Sequence, residues 1–102
     1  MMMDIDMERA RREELRWVLL RALYAAQEIG TSETILRKAI EDVIRDVTDI
    51  EIRRALDYLT ERELIAVERK RPVWFAKINN HGIDFVEYTV DAHPGIARPN
   101  RW

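Results

Sequence analysis

The hydrophobic positions of the chain change their period along its length, and each change marks an element. Leu15, Val18, Leu19, Ala22, Ala26 and Ile29 recur three and four residues apart, which predicts a helix over residues 5–29 with one buried face. Gly30 then supplies a helix stop. Trp17, Leu20 and Tyr24 make a second apolar line on another side of this helix, so it is expected to be covered on two sides. Thr31 and Ser32 offer a cap for a second helix over 33–44, with Ile35, Leu36, Ala39, Ile40 and Val43 as core positions. Residues 45–47 read as a turn. Thr48-Asp49-Ile50-Glu51 is a capping box: the Thr48 hydroxyl accepts from the Glu51 amide, and the Glu51 carboxylate reaches back to the Thr48 amide. The third helix continues to about residue 62 with Ile52, Ala55, Leu56 and Leu59 as its buried stripe.

After Leu64 the period falls to two. Ile65 and Val67 alternate with Ala66 and Glu68, and residues 73–78 alternate again with Trp74, Ala76 and Ile78 on one face. Arg69-Lys70-Arg71-Pro72 lies between them as a basic turn, since proline cannot donate to a strand ladder. Asn79 can cap a last helix over 80–88 that carries Ile83, Phe85 and Val86. Residues 89–102 hold Pro94, Gly95 and Pro99 and read as an extended tail. Few residues separate the second and third helices, which is helix-turn-helix spacing. A hairpin placed directly after that pair is a wing. The expected fold is therefore α+β, mainly α: a winged helix-turn-helix with three helices, a β-hairpin wing, a C-terminal helix and an extended tail. Residues 1–88 form the domain, with the helix-turn-helix at 32–62 and the wing at 64–78.

Composition narrows the function classes. The chain has 102 residues, one domain's length, and its 47% hydrophobic content is that of a folded protein. So small a domain has a modest core, and dimerisation would add buried area. The absence of cysteine excludes disulfides and thiolate metal sensing. The first twelve residues carry Asp4, Asp6 and Glu8 and no apolar segment, unlike a secretory signal. No run approaches the roughly 18 apolar residues of a membrane span. A cytoplasmic location in a bacterial host is the expectation, with no membrane partner. Net charge is -2, from 17 basic and 19 acidic residues, whereas a nucleic-acid-binding domain is usually basic. Residues 45–77 hold eight basic and seven acidic side chains, so this half is slightly more positive than the rest.

Two stretches carry a resemblance. The run from Thr48-Asp49-Ile50-Glu51-Ile52-Arg53-Arg54 to Glu63-Leu64-Ile65 resembles the recognition helix and first wing strand of winged-helix regulators. Ile78-Asn79-Asn80-His81-Gly82 is similar to the segment that opens their next helix. Glu63 departs from the pattern, because these families usually carry glycine there. Val86-Glu87-Tyr88-Thr89-Val90-Asp91-Ala92-His93-Pro94-Gly95-Ile96-Ala97-Arg98-Pro99 resembles the ending of small winged-helix proteins, often labelled ArsR-like, of Mu-like transposable phages and prophages. The resemblance implies a phage-type regulator or DNA-associated accessory protein. It does not imply a metal sensor.

The candidate sites follow from this frame. Double-stranded DNA is the expected partner, with the third helix in the major groove. Arg53 and Arg54 can meet guanine edges or phosphates, and Tyr58 a phosphate. Arg69, Lys70 and Arg71 at the wing, with Lys77 nearby, can contact the backbone. The same residues are also what a solvated helix face and a charged turn look like, and Asp49, Glu51 and Asp57 lie among them. Trp17, Leu20 and Tyr24 can form a homodimer interface, or can be covered by the tail through Ile96 and Trp102. His81 and His93 lack the further ligands a zinc site needs. There is no nucleophile beside a base, no phosphate-binding glycine loop and no carboxylate pair in an evident cleft, so no enzyme, cofactor, metal or small-molecule effector is expected. Two readings stand: a DNA-binding transcriptional regulator, and a winged-helix module that binds protein.

Overall fold

The computed structural model describes residues 2–101, and the side chains of residues 6–101. Four α-helices and a three-stranded antiparallel sheet are present among them. Helix α1 spans Met2–Ala26 and passes into a 3₁₀ turn at Gln27–Ile29. Strand β1 (Thr31–Ser32), helix α2 (Glu33–Ile40) and helix α3 (Asp49–Glu61) follow. Strands β2 (Ile65–Glu68) and β3 (Phe75–Ile78) form the hairpin, and α4 spans Asn80–Val86.

Local chemistry accounts for most boundaries. The Ser32 hydroxyl accepts from the Ile35 amide at 3.3 Å and caps α2. The Thr48–Glu51 box is complete, with the Glu51 amide donating to Thr48 Oγ1 at 3.1 Å and the Thr48 amide donating to Glu51 Oε1 at 3.0 Å. Asn79 Oδ1 accepts from the Gly82 amide at 2.9 Å and caps α4. Helix α3 ends in a Schellman turn: the Leu64 amide donates to the Leu59 carbonyl and the Glu63 amide to the Thr60 carbonyl. Glu63 sits there at φ 63°, the left-handed conformation glycine tolerates best. The glycine-like position is therefore retained in the backbone although the residue is glutamate.

The core gathers around the C-terminal half of α1. Leu19, Leu20 and Leu23 pack with Leu36 and Ile40 of α2, Ile52, Leu56 and Leu59 of α3, Ala76 and Ile78 of β3, and Phe85 of α4. The sheet order is β1-β3-β2, with Thr31 paired to Ala76 and Val67 paired to the same Ala76 from the other side. Gly30 makes this approach possible: a Cβ there would lie 2.6 Å from the Ala76 carbonyl oxygen. Gly82 lets α4 press on the strand start, because a Cβ would overlap the Leu64 carbonyl oxygen.

Several expectations are corrected. Helix α2 ends at Ile40 rather than 44, and its buried residues are Glu33, Leu36 and Ile40, continued by Ile44 in the following turns. That stripe leaves Ile35, Ala39 and Val43 facing outward, with Val43 57% exposed. Ile29 is 84% exposed because the 3₁₀ turn rotates it off the buried face of α1. Helix α4 stops at Val86, two residues early, where Tyr88 adopts φ 64°.

The C-terminal segment is irregular but not free. The Ala97 amide donates to the Glu13 carbonyl at 3.1 Å, and Arg16 Nη1 donates to the Gly95 carbonyl at 2.8 Å, tying the segment to α1. Arg98 Nη1 donates to the Phe85 and Val90 carbonyls, and Ile96 is buried.

Candidate functional site

Helix α2, helix α3 and the hairpin meet at one acidic side chain. Glu33 opens α2, where a carboxylate is favoured by the helix dipole, yet it occupies a position of the buried stripe and is only 9% exposed. A buried carboxylate needs partners. Arg53 of α3 supplies them in fork geometry, with Nε donating to Oε2 at 2.8 Å and Nη2 to Oε1 at 2.6 Å. The Trp74 amide donates to the same Oε1 at 2.9 Å, and the Glu33 amide donates to the Trp74 carbonyl at 2.9 Å. Arg53 Nη2 also donates to the Pro72 carbonyl at 2.9 Å, and its guanidinium lies 4.6 Å from the Trp74 ring centroid. The Arg53 hydrogen bonds hold the Glu33 carboxyl below the usual carboxylate range, against burial, with help from the Trp74 amide.

A second pair reinforces the dock. Arg69 Nη2 donates to Asp57 Oδ1, and its guanidinium lies 4.9 Å from the same Trp74 ring. Trp74 is thus contacted by one arginine from α3 and one from the hairpin. On the α2–α3 side, Arg37 Nη1 donates to Asp49 Oδ1 at 3.2 Å. The hairpin tip itself, with Lys70 and Arg71, is exposed, and neither residue forms an ion pair with another described residue.

The seven residues expected to contact nucleic acid therefore fall into separate places. Arg53 and Arg69 lie together in the dock. Lys70 and Arg71 project beside them. Arg54 is exposed on α3 and lines a cleft toward α1. Tyr58 faces α1 and the C-terminal segment: Arg16 lies 3.6 Å and Arg62 4.2 Å from its ring centroid, and Gly95 packs on its hydroxyl. Lys77 is on the outer face of the sheet with Phe75, because strand alternation sends its neighbours Ala76 and Ile78 inward. The structure does not bring Tyr58 or Lys77 to the face shared by α3 and the hairpin tip. That face also presents Ile50, which is 64% exposed.

The apolar line on α1 is filled from within the chain. Trp17 is 7% exposed, with ring centroids of Phe85 and Tyr88 at 6.3 and 6.5 Å, and Leu20 is fully buried. Tyr24 Oη donates to Glu87 Oε2 at 2.6 Å. Helix α4 and the segment after it cover the line, so Trp17 and Leu20 have no surface to offer a second copy. Ile96 is buried in the same core, whereas Trp102 lies outside the described residues.

Sequence reading missed Glu33. Its signal was present: positions 33, 36, 40 and 44 share one helical face, and an acid in an otherwise apolar stripe asks for a cationic partner. Arg11 was missed as well; its Nε donates to Glu51 Oε2 at 2.8 Å and its Nη2 to the Arg45 carbonyl, linking α1 to the start of α3. That hydrogen bond is the main reason the Glu51 carboxyl is held below its ordinary range.

Among the described residues, no group of three or more His, Asp and Glu side chains is placed to hold a metal ion, and no helix is long and apolar enough to cross a membrane. Comparison with known protein-family models, curated proteins and solved structures finds no match to the chain.

Proposed function

We propose that this chain is a winged helix-turn-helix protein that binds double-stranded DNA, with α3 toward the major groove and the β2–β3 hairpin as the wing. One observation carries the reading: a hydrogen-bonded dock holds an exposed basic hairpin tip beside the exposed face of α3. Lys70, Arg71 and Arg54 have no carboxylate partner among the described residues and can meet phosphates. Arg53 is a positioning residue, since its Nε and Nη2 are committed to Glu33 and Pro72. The Arg69–Asp57 pair is about half exposed and correspondingly weak, so a phosphate can compete for Arg69. Asp57 and Glu61 on the same helix repel phosphates and few cations are available, so affinity is modest and the salt slope is weak.

The test is fluorescence anisotropy with a random-sequence duplex at low salt. Lys70→Ala with Arg71→Ala is expected to weaken binding and to flatten the salt slope by about two units. Absence of any binding at low salt overturns the reading. It would favour the second one, a protein-binding winged helix, which the exposure of Ile50 next to Val73 in the groove between α3 and the hairpin supports. A homodimer on a two-fold operator would need a surface other than Trp17 and Leu20; sedimentation equilibrium of the parent chain decides whether one forms.

A further inference from the structure

The cleft between α1 and α3 gathers four arginines, three of which have no carboxylate partner among the described residues. It has a volume of about 380 Å³, within the range of small-molecule sites. Arg11 and Arg12 line it from one turn of α1 and Arg16 from the next, and Arg54 lines it from α3. Two carboxylates are also present. Glu51 is committed to Arg11 and to the Thr48 cap, and Glu8 stands on α1. Arg12, Arg16 and Arg54 have no carboxylate partner among the described residues.

Arg16 is the telling member. It is half-buried, and its hydrogen bond goes to a neutral acceptor, the Gly95 carbonyl, with the Tyr58 ring against its guanidinium. Burial pulls this guanidinium below its ordinary value, and the charges of Arg12 and Arg62 act in the same direction, while Tyr58 and Glu13 oppose them. A cation partly withdrawn from water and left without a counter-ion gains more from an arriving anion than a solvated one does. Leu15 and Ala55 close the floor between the arginine stems.

We infer that the α1–α3 cleft is a binding site for a small organic anion, a phosphate monoester or carboxylate with an apolar body, held by Arg12, Arg16 and Arg54 over Leu15 and Ala55. The planar guanidinium groups suit oxyanions, which they bind through paired N–H donors. The apolar body lies along the arginine stems, where it excludes water from the ion contacts. The site stands on this geometry alone and does not depend on the chain binding DNA.

The probe is phenyl phosphate, titrated into the full chain and followed by the backbone amide and arginine Nε–H signals in ¹H–¹⁵N spectra. Saturable shifts confined to residues around α1 8–16 and α3 51–55 are expected. Arg12→Gln combined with Arg54→Gln should weaken binding about tenfold or more. Lys70→Gln with Arg71→Gln, at the hairpin tip, should leave it unchanged. Shifts that spread equally over the hairpin tip, or an equal response to neutral benzyl alcohol, overturn the site. A phosphate of a nucleic-acid backbone shares the ligand chemistry. If phenyl phosphate fails to bind while Arg12→Gln weakens duplex binding as much as the hairpin-tip change does, the cleft serves that backbone and the small-anion proposal fails.

Discussion

Two arginine-rich regions flank α3, and they use the same side chain in opposite ways. On the hairpin side, Arg53 and Arg69 each have a carboxylate, and both lie against Trp74. On the α1 side, Arg12, Arg16 and Arg54 line a cleft and have none as an ion-pair partner among the described residues. The first arrangement is structural: the Arg53 charge above all is spent holding the hairpin to α2 and α3. The second leaves charge available. Counting arginines in a sequence cannot separate the two, because the difference lies in whether an acid from a distant segment reaches each guanidinium.

The comparison predicts that stability is sensitive on one side and tolerant on the other. The largest effect is expected for Glu33→Ala, which leaves the Trp74 amide and the Arg53 fork without their acceptor and should cost about 2 kcal/mol in denaturant unfolding. A loss under about 0.5 kcal/mol, the level of an ordinary surface change, would erase the distinction between the regions.

Acid should act on the same contacts. The Glu33 and Glu51 carboxyls are held low in the folded state, mainly by hydrogen bonds from Arg53 and Arg11 respectively. Their stabilisation is therefore complete above the unfolded glutamate value of roughly 4.3 and is lost as pH falls through the lower folded values. Thermal midpoints measured downward from about pH 5 should drop across that acid window. In Glu33→Gln the drop should be shallower; an unchanged slope would show that Glu33 does not carry it.

The cleft side should respond less. Arg16→Gln removes the hydrogen bond to Gly95 and the contact with Tyr58, so a loss of about 1 kcal/mol is expected, together with faster amide exchange at Ala97. Exchange at Ala97 as slow as in the parent would mean that the C-terminal segment is held without Arg16. Arg12→Gln should be the mildest, within about 0.5 kcal/mol of the parent. A larger destabilisation would place Arg12 among the structural arginines.

Much of the frame was legible in the residues. The Thr48–Glu51 box, the Ser32 and Asn79 caps, the fall to period two after Leu64 and the basic turn at 69–71 all correspond to observed features, because each depends on atoms within a few residues of one another. The candidate contacts were less legible. Arg53 looked like a free cation on an exposed helix face, and its partner Glu33 lies twenty residues away in sequence. Tyr58 and Lys77 were read as neighbours of the basic residues, but helical phase turns one toward α1 and strand alternation turns the other to the outer sheet face. Strand β1 has two residues, too few to show a period, and exists because Thr31 and Ser32 pair with β3.

Local order in this protein was thus largely set by its sequence alone: where α2, α3 and α4 begin, and where the strands alternate. Those outcomes rest on hydrogen bonds and steric limits internal to a short segment. Only the tertiary structure decided which apolar line of α1 is covered by α4, which arginines meet an acid, and that Gly95, Ile96 and Ala97 fold back onto α1. Those outcomes depend on burial and on charges brought together from distant segments, and their energies exist only once the chain has closed around its core.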